Sequence, residues 1–160
     1  MTDNINNKIQ FQNNIDSYLL EIEELTGTDI TPGLLSSIED MEKIREKSSA
    51  LKDLDKLNFV MKFELKNSDR FRQFIANLNK VNNSPVYIWT EKSNVCGLYK
   101  VSSINAVDFS FKFDINDEGM VIFLTENCQD RLLLDFYKDR IDKEMLNLEV
   151  KGKHWYSVPF

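Results

Sequence analysis

One histidine, two cysteines and five scattered glycines leave little material for a catalytic or cofactor site in 160 residues. The glycines never gather into a loop that could cradle a phosphate. His154 is the one side chain whose ordinary pKa lies near neutrality, and pairing with Cys96 or Cys128 is the one thiol-imidazole arrangement open to it. Neither cysteine sits in a nucleophile motif, so no catalysis is expected. The two thiols are also too few and too far apart for a disulfide framework or a zinc knuckle, and a reduced state is expected. No apolar run is long enough to cross a bilayer, and the polar Met1–Lys8 start has no signal-peptide core behind it. The expectation is a cytosolic protein with no membrane partner. Basic residues are in deficit, 20 Lys and Arg against 26 Asp and Glu for a net charge of −6. That balance argues against nucleic acid as a partner and is compatible either with a basic protein partner or with simple solubility. Internal repeats and low-complexity stretches are missing too.

What the chain does contain is periodicity. At 42% hydrophobic and 29% charged residues it has the composition of one soluble domain over 1–160. Residues 1–56 read as a helical portion and 57–160 as a strand, a helix and an antiparallel sheet. Ile15, Tyr18, Leu19, Ile22 and Leu25 recur at helical spacing, with Glu21, Glu23 and Glu24 elsewhere around the helix, and Gly27 ends it. Thr31–Pro32 then caps a second helix carrying Leu34, Leu35, Ile38, Met41 and Ile44, and the two helices are expected to form a hairpin. From Leu57 the period becomes two, with Phe59, Met61, Phe63 and Leu65 on one side of a strand and Lys62, Glu64 and Lys66 on the other. Ser68 caps a third helix whose buried stripe is Phe71, Phe74, Ile75, Leu78 and Val81. Short strands follow at 86–90 and 96–101, with Gly97 as a bulge.

The organising stretch is 107–137. Val107, Phe109, Phe111, Phe113 and Ile115 alternate with polar residues, Asn116–Gly119 reverses the chain, and the unbroken apolar run Met120–Leu124 calls for a strand covered on both faces. Thr125–Arg131 turns the chain again into Leu132–Tyr137, so 107–137 reads as a three-stranded meander. A strand at 146–150 and another at 154–158 complete an α+β fold with the helices on one face of the sheet. The expected core joins Phe109, Phe111, Phe113, Val121, Phe123, Leu132 and Leu134 to Phe71, Phe74 and Leu78. Asp135 interrupts an apolar strand, so it lies at a sheet edge or is buried with Arg131 or Arg140. Trp89, Tyr99, Trp155 and Tyr156 read as core or edge packing rather than as a stacking surface, because no excess of basic residues accompanies them.

Within 107–130 the acidic residues are Asp108, Asp114, Asp117, Glu118, Glu126 and Asp130, against Lys112 alone. They match no calcium-loop spacing, so neither a metal nor another cofactor is expected. They do form a candidate partner-binding rim, in which Asp114, Asp117 and Glu118 sit together at one end.

The runs DINDEGMVIFLTE and DRLLLDFY, with SPVYIWT, CGLYKV and LEVKGKHW, resemble the C-terminal half of small immunity proteins that bacteria carry beside polymorphic or contact-dependent growth inhibition toxins. The likeness covers roughly residues 84–158 and carries no catalytic signature. It implies a non-enzymatic antitoxin that binds the toxin domain of a cognate effector, in many cases a nuclease with a basic groove, and blocks its active site or substrate access. It assigns no individual residues. The alternative is an adaptor that binds another protein through residues 9–47.

Overall fold

The spacing of apolar residues on the first helix fixes where the core must be. In the computed structural model, which describes residues 2–160 and side-chain burial from residue 5, α1 spans Thr2–Thr26 and buries Tyr18, Ile22 and Leu25. Gly27 closes it at a φ of 69°, donating to the Glu23 carbonyl at 2.7 Å. A single 3₁₀ turn at Pro32–Leu34 and a separate helix α2, Ile38–Ser48, replace the expected continuous second helix. The reason is the cap. Thr31 makes no side-chain hydrogen bond, whereas the Ser37 hydroxyl accepts from the Asp40 amide and starts α2 there.

Strand β1 covers Lys56–Lys62, then a 3₁₀ turn at Phe63–Asn67 breaks the two-residue period. Leu65 is thereby turned out and Lys66 turned in, opposite to their expected sides. Helix α3, Asp69–Val81, begins on the Ser68 hydroxyl, which accepts from the Phe71 amide, and buries Phe71, Phe74, Ile75 and Leu78. Val81 lies past the last buried turn and is exposed. After β2 (Val86–Trp89), a short helical turn α4 (Ser93–Cys96) leads to β3 (Tyr99–Val101). Gly97 is the C-cap of α4 rather than a bulge; its φ is 95°, and a Cβ there would overlap the Ser36 carbonyl. Strands β4 (Met120–Thr125), β5 (Asp130–Lys138) and β6 (Glu144–Gly152) form a true meander. The six strands make one antiparallel sheet ordered β1-β6-β5-β4-β2-β3, and the fold is α+β.

Residues 107–115 are not a strand. They keep a strand's alternation of sides, Val107 and Phe111 buried while Asp108, Ser110, Lys112 and Asp114 face out, yet they join no ladder. Two of their amides pair with α1 instead: Asp108 donates to the Leu25 carbonyl at 2.7 Å and Lys112 to the Glu24 carboxylate at 2.7 Å. The segment is a lid over the core, where Phe111 and Phe113 pack edge-on against Phe63, and Phe109 against Phe71 and Phe123. The expected core set is assembled, with Phe109 and Phe113 packed at its margin.

The C-terminal segment is likewise a 3₁₀ turn, Trp155–Ser157, because the buried Trp155 indole is tied to α3, donating to the Leu78 carbonyl at 3.0 Å. Helices lie on both faces of the sheet. On the core face sit α1, α3 and the lid; on the other, Leu51 packs against Leu124 and Cys128, with Ile44 of α2 and Tyr87 alongside. Accordingly α1 and α2 do not form the expected hairpin; α2 rests mainly on α4. Asp135 is half-buried on the second face of the inner strand β5, neither at an edge nor paired with Arg131 or Arg140. Among the described residues no helix is long and apolar enough to cross a membrane.

Candidate functional site

Asn116 builds the acidic end of the sheet. Its Oδ1 accepts from the Gly119 amide at 2.8 Å, and its Nδ2 donates to the Met120 carbonyl at 3.0 Å and to Glu21 Oε1 at 3.1 Å. Gly119, at a φ of 67°, lies so close to the Phe136 backbone that a Cβ would overlap its carbonyl oxygen. The loop is therefore pinned from inside while Asp114, Asp117 and Glu118 point out. All three border one open cavity of about 770 Å³, together with Lys112, Tyr137 and Lys138.

The other three expected rim residues go elsewhere. Asp108 is exposed over the lid, where its carboxylate accepts from the Ser110 hydroxyl and amide, which hold its pKa below the usual range. Glu126 lies at the opposite end of β4 in a 2.6 Å ion pair with Lys100. Asp130 is not on the rim at all. It is fully buried, with Oδ1 accepting from the His154 and Trp155 amides at 2.8 Å each, and Oδ2 accepting from Asn82 Nδ2 at 2.6 Å and facing His154 Nδ1 at 3.0 Å. Its role is to fold the C-terminal turn. The signal was in the sequence, since Asp130 shares the two-residue period of Leu132 and Leu134.

A second cavity, of about 400 Å³, lies on the outer sheet face between α2 and the strands. Its floor is Trp89, Met120, Ile122 and Leu124, and its walls include Arg45 and Arg131. Arg45 stacks 5.1 Å from the Trp89 ring centre and donates to Asn94 Oδ1 at 2.8 Å; the Trp89 indole donates to the same oxygen at 3.2 Å. Arg131 donates to Glu149 Oε1 at 2.8 Å. At the far end Glu91 meets Glu118, so Glu118 borders both cavities. Partial burial first, then the hydrogen bond shared with Glu91 and the charges of Glu91 and Glu21, push the Glu118 carboxyl up to about 7. No family model, curated protein or solved structure matches the chain.

Behind this end runs a buried polar chain. The Tyr18 hydroxyl donates to the Gly97 carbonyl at 2.7 Å and lies 2.8 Å from the Ser93 hydroxyl, which accepts from the Thr90 amide. Burial raises the Glu21 carboxyl, which is 3% exposed. The thiols of Cys96 and Cys128 are buried, and burial pushes Cys96 up to about 11. The His154 Nδ1 faces Asp130, and neither thiol hydrogen-bonds it. Among the described residues no three His, Cys, Asp or Glu side chains are placed to hold a metal ion.

The outer groove was missed at the sequence level. Apolar residues at both phases of Met120–Leu124 announced that each face is covered, but which element covers the second face depends on where α2 folds back. Glu91, Arg45 and Trp89 meet only through that packing.

Proposed function

We propose that this chain is a cytosolic, non-enzymatic immunity protein that binds the toxin domain of a cognate bacterial effector and blocks its active site or its access to substrate. The observation that carries this reading is the joining, at Glu118, of an outward-facing carboxylate cluster to an apolar groove. Interfaces that bind tightly pair an apolar anchor site with a polar rim, and Trp89, Met120 and Ile122 supply the first where Asp114, Asp117 and Glu118 supply the second. Carboxylates on a pinned loop suit the lysines and arginines of a phosphate-binding groove. The family resemblance of residues 84–158 points the same way.

The test is capture of the protein encoded by the neighbouring reading frame, by wild type and by the triple variant Asp114→Asn, Asp117→Asn, Glu118→Gln. The variant is expected to bind more weakly, mainly through slower association, with a shallower salt dependence and no loss of thermal stability. Unchanged affinity and unchanged salt dependence would remove the acidic end from the interface.

The adaptor reading through residues 9–47 keeps one supporting observation. Within those residues the large apolar side chains of Ile9, Leu20, Leu34 and Ile38 are exposed. If the partner is lost on replacing the exposed Leu20 and Leu34 by serine and kept by the triple variant, that reading replaces the first.

A further inference from the structure

Lys66 is 2% exposed and forms no ion pair or hydrogen bond through its amine among the described residues. It is held instead between two aromatic faces, with Nζ 4.3 Å from the Phe63 ring centre and 4.7 Å from that of Phe111. A buried lysine normally has a carboxylate or carbonyl against its ammonium. This one instead lines a cavity of about 390 Å³ under the lid, whose other walls include Phe71, Ile75, Val107, Phe109 and Asp108. The cavity shares no lining residue with the outer groove or with the cavity at the acidic end, and the inference does not rest on the partner-binding reading.

We infer that Lys66 is a reactive amine that takes small apolar aldehydes as an imine in the cavity beneath the lid. Three features of the site support this. The two phenylalanine rings hold the amine in one place, leaving it little rotamer entropy to lose on reaction, while their faces favour its charged form. Phe71, Ile75, Val107 and Phe109 suit an aromatic or aliphatic aldehyde, and of the charges around Lys66 the carboxylates of Asp108 and Glu24 oppose an anionic one, the cation Arg72 in the same wall being paired with Asp69. Finally, burial lowers the Lys66 pKa to about 8, even against the opposing pull of Asp108 and Glu24. In the reaction the Nζ lone pair attacks the carbonyl carbon and forms the C–N bond. The carbonyl oxygen collects the two amine protons and leaves as water, and the C=N bond remains. No oxidant or other co-reactant enters.

The experiment treats the full chain with benzaldehyde and traps imines with cyanoborohydride at pH values from 6.5 to 10.5, mapping modified lysines by peptide mass. At pH 8 about half of an amine with that pKa is neutral, against about 0.4% for an ordinary lysine. Lys66 is therefore expected to be labelled at least about tenfold faster than the exposed Lys43, with a rate that levels off above pH 8. In the Lys66→Arg variant the fast label should vanish, while Lys112→Arg should leave it intact. Labelling of Lys66 no faster than Lys43, or a rate still climbing through pH 10, overturns the inference, and both readings come from the wild-type protein whatever the variant's stability.

Discussion

On one face of the sheet Val121, Phe123, Leu132, Leu134 and Leu148 are sealed beneath α1, α3 and the lid, whereas on the other Met120, Ile122 and Leu133, from the same strands, stay partly open. Alternation along β4 and β5 assigns each side chain to a face, and the cover decides what that face does. A face closed by aromatic packing carries stability, because its apolar area is wholly removed from water. A face closed only at one end, by α2 and Leu51, leaves a groove with charged walls.

The largest expected effect is on the closed face. Phe111 is 1% exposed and touches the rings of Phe63 and Phe136. Its truncation to alanine should cost about 3–5 kcal/mol in denaturant unfolding. A loss below about 1 kcal/mol would mean that the lid is dispensable to the core. Next comes Asp130, where the closed face uses a charge. Asp130→Ala strands the His154 and Trp155 amides and leaves Asn82 Nδ2 only its longer bond to Asn127, and should cost about 2–3 kcal/mol. Stability unchanged by this substitution would return Asp130 to the candidate interface.

These two residues also mark where the sequence was readable. The cap of α3 and its stripe as far as Leu78 were legible because both depend on residues within four positions of one another, as in the Ser68 hydroxyl and the Phe71 amide. The 107–115 segment was half legible. Its alternation correctly told which side chains point inward, but pairing depends on a neighbouring strand, and here the neighbour is α1. Lys66 and Leu65 exchanged sides because one 3₁₀ turn shifts the phase of everything after it. Of the six candidate carboxylates, the three held by one short loop were grouped correctly. Glu126 stands at the other end of β4, as its place in the second turn implied, but its ion pair with Lys100 and the burial of Asp130 against His154 depend on distant chain and were not legible.

The smallest expected effect belongs to the open face. Glu118 in the fold titrates near 7 against an ordinary 4.5, so between those values the folded chain holds a proton that the unfolded chain has released. That contribution to stability is complete below pH 4.5 and lost as pH rises through 7. Glu118→Gln cannot ionise. Its thermal midpoint should match that of wild type near pH 4.5 and rise above it by pH 8, by a small margin, since the side chain is largely in water. A difference that stays constant over this window would mean that Glu91 and Glu118 do not share a proton. The same proton bears on recognition. A lysine or arginine entering between the two carboxylates must displace it, so affinity for a basic partner should strengthen from pH 6 to pH 8 in the wild type and change less in Glu118→Gln.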